Sequence, residues 1–163
     1  MKTAIFTGSF DPVTNGHIDI IYRARKIFDK VYAAILINPD KRCLFSQTDR
    51  LDFLRGAICG MDGVEAFASD MTAAAAAAEY KADCIIRGVR NSGDYEYERL
   101  MAVHNYRNGG IDTVFFEAGE NSASISSSMV KKFLAEGKSV KKYVPEEIYE
   151  KLVGIYNALK IAT

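Results

Sequence analysis

The sequence predicts a doubly wound α/β fold built on a five-stranded parallel sheet. Short apolar runs, as expected for strands that are covered on both faces, alternate with segments whose apolar residues recur at helical spacing. The alternation continues along the whole chain without internal repeats or a linker, which favours a parallel sheet wrapped on both sides. At 163 residues the chain has room for one full core, so we expect a single domain over residues 1–163.

The first part of the chain predicts two strands and two helices. A short buried strand over residues 2–6 is followed by a helix whose apolar face carries Ile18, Ile21, Ala24 and Phe28. The near-continuous apolar run at 31–37 predicts the second strand. Ser46 and Asp49 suit the cap of a helix that runs to about Gly60, and its inner face is expected to hold Leu51, Leu54 and Ile58.

The middle of the chain continues the same pattern. A weaker strand is predicted at 64–68, and the six alanines at 73–78 predict a short helix that lies close against the sheet. The fourth strand is predicted at 84–86. Residues 87–90 then turn towards a helix that runs from about Asp94 to Arg107.

The last part begins with a fifth strand at 113–116 and a serine-rich loop at 122–128. The helix predicted at 127–136 is closed by Gly137 as a C-cap. Pro145 suits the first turn of a final helix. The apolar stripe of that helix is expected to comprise Ile148, Leu152, Ile155 and Leu159.

Polar and cationic residues follow each predicted strand, and the fold brings them together. In doubly wound sheets ligands bind outside the carboxyl ends of the strands. The residues that follow strands one to five are, in order, Ser9 with His17, Lys41, Thr72, Arg87 with Arg90, and Ser122 to Ser128. Hydroxyls, cations and glycines therefore converge on one edge of the sheet, which predicts a site for a small anionic ligand.

The segment from Gly8 to His17 is the strongest single indication of chemistry. It joins the first strand to the first helix, where free N–H groups and the positive end of the helix dipole favour anionic oxygens. Gly8 and Gly16 are expected to let a ligand approach the main chain. The His17 imidazole, aimed at the same spot, would stabilise a phosphate that gains charge during transfer. The alternative is a plain turn and helix start.

Composition excludes several other classes. Lys plus Arg total 21 and Asp plus Glu total 21, so no basic excess indicates a nucleic-acid or membrane-surface binder. The three cysteines lack a C-x-x-C pattern, which argues against a disulfide framework and a zinc site. No apolar run reaches membrane-spanning length and the first twenty residues do not suit a signal peptide. We therefore expect a soluble cytoplasmic protein with free thiols.

Several motifs resemble one family. They are Gly8-Ser9-Phe10-Asp11-Pro12 followed by Thr14-x-Gly16-His17, the RGxR pattern at 87–90 with Asp94 to Glu98 behind it, and Ile125-Ser126-Ser127-Ser128. Together they resemble the bacterial phosphopantetheine adenylyltransferases, within the T/HxGH nucleotidyltransferases. The resemblance implies a Rossmann-like nucleotidyltransferase fold and adenylyl transfer from ATP to 4′-phosphopantetheine. It also implies Mg²⁺ bound through the ATP phosphates, and a homohexamer.

The resemblance also implies residue roles. The implied catalytic residues are His17, Lys41 and Arg90. The implied ATP contacts are Ser9, Phe10, His17, Gly88, Val89, Arg90, Glu98, Ser122, Ala123, Ser124, Ile125, Ser126, Ser127 and Ser128. The implied contacts with the phosphopantetheine substrate are Ser9, Lys41, Thr72, Arg87 and Asn105. No residue is implied as a metal ligand, and Asp11 in its Asp-Pro turn is expected to be structural.

Alternatives remain at individual residues and for the whole chain. Lys41 also fits an ordinary loop cation, the two arginines fit a solvated surface pair, and Thr72 fits a plain N-cap. Residues 121–124 are Asn-Ser-Ala-Ser where the family has an aromatic-rich stretch, which bears on adenine packing. An adenylate-binding module without turnover, or a related cytidylyl- or nicotinamide mononucleotide adenylyltransferase, therefore stays open as an alternative function.

Overall fold

Five parallel strands form one sheet in the order β3-β2-β1-β4-β5. In this computed structural model, which describes residues 1–37, 41–119 and 123–161, the strands are β1 (Thr3–Gly8), β2 (Lys30–Leu36), β3 (Val64–Ser69), β4 (Cys84–Val89) and β5 (Asp112–Glu117). The order reverses between β1 and β4, so their carboxyl ends flank the crevice where such folds bind ligands. The predicted fold class and all five strands are confirmed.

The helices that the structure describes alternate with these strands and cover both faces of the sheet. They are α1 (Asn15–Arg25), α2 (Gln47–Ala57), α3 (Ala73–Glu79), α4 (Ser92–Gly109), α5 (Ser127–Ala135) and α6 (Glu146–Ile161). The larger part of the core lies between one face and α1, α2, α5 and α6, which bury Ile21, Leu54, Val130 and Leu152 there. On the opposite face α3 packs through Ala76 and Ala77, while α4 contacts α3, β4 and β5.

Hydroxyl caps begin three of the described helices, and two of them, at Ser46 and Thr72, lie where the sequence offers a cap. Ser46 Oγ accepts the Asp49 N–H at 3.1 Å, Thr72 Oγ1 accepts the Ala75 N–H at 3.2 Å, and Ser126 Oγ accepts the Met129 N–H at 3.1 Å. Each bond satisfies an N–H that has no partner within its own helix. At the other end of α5, Gly137 has φ +69°, a conformation that glycine adopts without strain.

Two predicted boundaries were wrong. β4 continues to Val89, so Arg87 and Gly88 belong to a strand and pair in register with Phe115 and Phe116 of β5, not to a turn. In α6 the buried stripe is Ile148, Leu152 and Tyr156, whereas Leu159, on the last turn of the helix, is 39% exposed. No helix in the described part of the chain is long and apolar enough to cross a membrane.

Candidate active site

A cavity of ≈ 290 Å³ opens at the carboxyl ends of β1 and β4 and reaches the start of α5. Most of the residues that the sequence brings to this edge line it: Ser9, His17, Lys41, Arg87, Gly88, Val89, Arg90, Glu98, Ile125, Ser126, Ser127 and Ser128. The lining contains three cations, Lys41, Arg87 and Arg90, and one carboxylate, that of Glu98. The excess of cations makes the cavity suited to an anionic ligand.

His17 is fixed by the turn that precedes it. Thr14 is the residue before α1, and its backbone N–H donates to His17 Nδ1 at 3.0 Å, while Thr14 Oγ1 lies 2.9 Å from the same nitrogen. Since a backbone N–H can only donate, Nδ1 is an acceptor and the proton of the neutral ring sits on Nε2. The ring also packs against Phe10, with centroids 4.9 Å apart. His17 therefore presents Nε2–H as a positioned donor.

The charge of the imidazole is set by its surroundings. Burial lowers the pKa of His17 to about 4, and the nearby guanidinium groups of Arg90 and Arg87 act in the same direction. The ring is accordingly uncharged near neutral pH. A neutral N–H donor stabilises an oxygen that gains negative charge without itself exchanging a proton.

Ser9 and Lys41 meet at the edge of the cavity. Lys41 follows β2, and Ser9 follows the neighbouring strand β1. Lys41 Nζ lies 3.0 Å from Ser9 Oγ. The Ser9 carbonyl accepts a hydrogen bond from Arg50 of α2 at 2.7 Å. An ammonium and a hydroxyl this close form a two-point contact for a phosphate oxygen.

Phe10 and Asp11 form the buried part of the same turn. Phe10 has φ +44°, which is uncommon for any residue except glycine, and its ring lies beneath Gly8. The Asp11 carboxylate accepts the Leu44 and Phe45 N–H groups at 2.9 Å each and Lys131 Nζ at 2.8 Å. Asp11 is thus structural, as the sequence predicts.

The pKa of Asp11 reflects these partners. Burial alone would raise it, but the hydrogen bond from Lys131 and the N–H groups of Phe45 and Leu44 outweigh that effect and hold it below its ordinary value. Asp11 is therefore ionised at neutral pH. It ties the turn after β1 to α5 and to the segment before α2.

Arg87 is held in a fixed orientation by two partners. Its Nε and Nη2 each donate to one oxygen of Glu98, both at 2.6 Å, and its Nη1 donates to the carbonyl and hydroxyl oxygens of Thr7. The two-pronged pair with Glu98 fixes the guanidinium plane. Arg90 differs, because its Nε pairs only with Asp94 at 2.7 Å, four residues along the chain and partly exposed.

Gly88 has a role that the sequence does not reveal. A Cβ atom at this position would lie 2.3 Å from Ile20 Cδ1 of α1, so the missing side chain lets the helix approach the strand. Gly88 and Gly8 both line the cavity, and their contact with a ligand stays a prediction. The space beside Gly8 is also taken, by the Phe10 ring at 3.1 Å.

The three serines at the start of α5 differ in their hydrogen bonds. Ser126 caps the helix, and Ser127 Oγ donates to the Pro12 carbonyl at 2.8 Å, which joins α5 to the turn after β1. Ser128 is exposed at the cavity and makes no side-chain hydrogen bond to any residue that the structure describes. Of the three, Ser128 has a hydroxyl available for a ligand.

Five predicted contacts lie outside the cavity lining: Phe10, Thr72, Asn105, Ala123 and Ser124. Phe10 is buried under His17, Thr72 caps α3, Asn105 is buried on α4, and Ala123 and Ser124 are exposed. Ser122 falls outside the described residues, as does Asn121. The roles of these residues in binding stay predictions.

Seven cavity residues carry no assigned contact in the sequence-based prediction: Phe6, Thr7, Gly8, Thr14, Gly16, Ile20 and Ala118. Thr14 and Gly16 were visible as part of the motif. Phe6, Thr7 and Gly8 end β1, so the rule that ligands bind at carboxyl ends of strands would have found them. No local sequence pattern indicates that Ile20 and Ala118 line the cavity.

Comparison with known proteins places the chain in a family. A family model described as cytidylyltransferase-like matches residues 5–133. A phosphopantetheine adenylyltransferase of Desulfosudis oleivorans is 44% identical over 153 residues, which covers 93% of this chain and 91% of the relative. One of Haemophilus influenzae is 37% identical over 161 residues, 98% of this chain and 99% of the relative. This chain belongs to the phosphopantetheine adenylyltransferase family.

Solved structures agree with this family assignment at the level of the fold. A bifunctional NMN adenylyltransferase/ADP ribose pyrophosphatase of Francisella tularensis, complexed with AMP and a manganese ion, superposes with a TM-score of 0.68 at 14% identity over 97% of this chain and 51% of its own. A lipopolysaccharide core biosynthesis protein of Thermoplasma volcanium gives 0.52 at 20% identity over 73% of this chain and 97% of its own. The fold of this chain is thus shared with both of these solved structures.

Proposed function

We propose that this protein transfers the adenylyl group of ATP to 4′-phosphopantetheine, which yields dephospho-coenzyme A and pyrophosphate. The observation that carries the proposal is identity of 37–44% to relatives named phosphopantetheine adenylyltransferase over more than nine-tenths of both chains. The cationic cavity with its neutral His17 donor supports it, because both substrates are phosphate esters. Such transfer belongs to coenzyme A biosynthesis.

The reaction needs no covalent enzyme intermediate. A phosphate oxygen of 4′-phosphopantetheine attacks the α-phosphorus of ATP and forms a new P–O bond. The bond from the α-phosphorus to the oxygen that bridges to the β-phosphorus breaks, and its electron pair leaves with pyrophosphate. The attacking phosphate is already ionised near neutral pH, so the protein does not have to activate the nucleophile. It has to position the two phosphates and stabilise the charge that develops in the transition state.

Three cationic or hydroxyl groups are proposed to hold the acceptor phosphate. Ser9 Oγ and Lys41 Nζ, 3.0 Å apart, offer contacts from one side, and the Arg87 guanidinium offers its remaining N–H from the other. Thr72 precedes α3 and Asn105 lies on α4, and these two helices pack together. Both residues are proposed to contact the pantetheine arm. The flexible lysine can follow its phosphate as charge shifts.

His17 and Arg90 are proposed to act on the α-phosphate of ATP. His17 Nε2–H would donate to a non-bridging oxygen as that oxygen gains charge in the transition state. Arg90 would exchange its partly exposed bond to Asp94 for the nucleotide phosphates. Gly88, Val89, Glu98, Ile125 and Ser126 to Ser128, with Phe10 and residues 122–124, are the remaining proposed ATP contacts.

Mg²⁺ is proposed to enter as a complex with the ATP phosphates. Within residues 1–37, 41–119 and 123–161, no group of three or more His, Cys, Asp or Glu side chains is arranged to hold a metal ion. The donor set fits an ion whose ligands are phosphate oxygens and water. When bound there, Mg²⁺ supplies neutralisation of phosphate charge.

Assembly and location are proposals of the same kind. The family resemblance implies a homohexamer, and the exposed apolar residues on α4, with Tyr97 and Leu100 each 61% exposed, support an association of copies. Light scattering at micromolar concentration would report a mass of about six chains. The free thiols Cys43, Cys59 and Cys84 favour the reducing cytoplasm, which localisation of a tagged chain would test.

The deciding experiment measures pyrophosphate release from ATP, Mg²⁺ and 4′-phosphopantetheine, with dephospho-coenzyme A identified by mass. We expect release that needs all components and is far slower with CTP at equal concentration. Use of CTP as good as that of ATP would indicate a cytidylyltransferase. Tight ATP binding with no release would indicate an adenylate-binding module instead.

A further inference from the structure

Arg50 is a buried cation that none of the described carboxylates accompanies. It lies on α2 with 5% of its surface exposed, and its Nη1 donates to the Ser9 carbonyl at 2.7 Å. Its buried Nε has no hydrogen-bond partner. Among the residues that the structure describes, no Asp or Glu oxygen comes within 4.0 Å of this guanidinium.

This arrangement is costly for the folded protein. A charge taken out of water loses solvation worth several kcal/mol, and buried arginines normally recover it from a paired carboxylate. Arg87, which lines the cavity, follows that rule through Glu98. Arg50 recovers only the dipole of one carbonyl, so its positive charge stays largely uncompensated in the absence of an anion.

The carbonyl that Arg50 holds belongs to the peptide between Ser9 and Phe10. Phe10 has a strained φ of +44°, so this peptide would relax to another orientation if nothing held its oxygen. Ser9 is the first residue of this peptide, and its hydroxyl oxygen lies 3.0 Å from Lys41 Nζ. Without the bond from Arg50, the backbone at Ser9 is less restrained, and so is the position of the hydroxyl beside the lysine.

We propose that Arg50 is a positioning residue that holds Ser9 against Lys41 and biases this end of the cavity towards a phosphate dianion. The inference rests on the proposed function, in which Ser9 and Lys41 receive the acceptor phosphate. Arg50 does not line the cavity and acts through the Ser9 main chain. Its buried charge favours an anion there, since the attraction between a buried charge and a bound phosphate is poorly screened by water.

The test compares Arg50→Lys and Arg50→Met with the wild type in steady-state kinetics on both substrates. Arg50→Met is expected to raise the KM for 4′-phosphopantetheine about tenfold or more, with the KM for ATP within about twofold. Arg50→Lys keeps the charge and is expected to lie between. Arg55→Lys and Arg55→Met are the matched controls, because Arg55 is exposed on the same helix, and they should behave like wild type.

A double-mutant cycle separates positioning from loss of stability. If Arg50 acts through the Ser9 hydroxyl, Arg50→Lys should change the acceptor KM much less in a Ser9→Ala background, under about threefold. This comparison needs only the lysine variant, so it stands even where Arg50→Met fails to fold. Equal rises in both KM values, or additive effects with Ser9→Ala, would overturn the inference.

Wild-type turnover distinguishes this inference from the proposed function. If the wild type releases no pyrophosphate, the proposed function falls and the inference falls with it. If the wild type turns over normally and Arg50→Lys matches it in the acceptor KM, only the role of Arg50 is overturned.

Discussion

The turn after β1 and the segment after β4 face the same cavity but are held in different ways. Residues of the turn bond to distant parts of the chain, with Asp11 reaching Lys131 across 120 positions and Pro12 reaching Ser127 across 115. Asn15 N–H adds a bond to the Tyr143 carbonyl at 2.9 Å. After β4, Arg90 relies on Asp94 only four residues away, and that pair is partly exposed.

The difference separates a fixed donor set from an adjustable one. Donors that are preorganised before the reaction cost no reorganisation when charge develops, which suits His17 and Ser9 in the turn. A partly exposed cation in a weak local pair can change partners when a nucleotide arrives, which suits Arg90. Each prediction below breaks one side of this contrast.

The largest effect is expected from His17→Ala. Loss of the Nε2–H donor should lower kcat by about 10²–10³, with much smaller changes in both KM values. Loss of the bond from the Thr14 N–H should also cost about 1 kcal/mol of unfolding free energy, somewhat more than a purely surface position would. Kinetics and chemical denaturation measure both.

His104→Ala is the control, since it removes the other histidine of the chain from an exposed position on α4. Its turnover should match wild type. A His17→Ala enzyme with normal kcat would remove this imidazole from the mechanism.

Asp11→Asn and Asp94→Asn compare the two regions directly. Asp11→Asn weakens a buried carboxylate with three partners and should lower the unfolding free energy by about 2 kcal/mol. Asp94→Asn weakens an exposed i,i+4 pair and should cost less than about 1 kcal/mol. Urea unfolding at neutral pH gives both values. Equal losses would contradict the contrast between a fixed and an adjustable region.

The pH dependence of stability should report the pKa of His17. Its folded pKa of about 4 lies below the ordinary 6.5, so the unfolded chain takes up a proton first as the pH falls. The stability advantage of wild type over His17→Ala should therefore be full above about pH 6.5 and decline towards pH 4. Asp11 is present in both proteins and cancels. An advantage that grows on acidification would mean that the folded ring is the more basic.

Gly88→Ala should lower the unfolding free energy by about 1 kcal/mol or more, because the new Cβ meets Ile20 Cδ1. Ile20→Val removes that Cδ1. The double variant should therefore be more stable than the sum of the two single changes predicts. Thermal melting of the four proteins measures this, and strict additivity would show that the contact does not limit how closely α1 and β4 pack.

The smallest effect is expected at Ser124. Ser124→Tyr restores one aromatic residue to the stretch that departs from the family pattern, and stacking on adenine is worth about 1 kcal/mol. The KM for ATP should then fall about fivefold, while the KM for 4′-phosphopantetheine stays level. Ser139→Tyr, at another exposed serine, serves as control. An unchanged KM for ATP would mean that adenine is held elsewhere.

Much of the site followed from the sequence because the rules that place it are local. A strand, a turn and a helix start locate Ser9 and His17, and the carboxyl-end rule brings Lys41 and Arg87 beside them. The caps at Ser46 and Thr72 are hydrogen bonds between residues three positions apart, so a short window of sequence contains the whole interaction.

The features that escaped prediction depend on contacts between distant residues. The close packing of Gly88 against Ile20 has no local signal, and nothing near Arg50 in the sequence indicates that it bonds to Ser9. The burial of Phe53 on α2 was not predicted, because the helical spacing of apolar residues favoured Leu51 for the inner face. Tertiary contacts decided each of these cases.

Phe10 restricts which substitutions this sequence can accept around it. Its backbone conformation would suit glycine, yet its ring occupies the space beside Gly8 and supports the faces of Phe6 and His17. A glycine at this position would relieve the backbone and leave His17 without its neighbour, while a side chain at position 8 would displace the ring. Positions 8 and 10 are therefore expected to change only together among descendants of this sequence, and only in ways that still support the ring of His17.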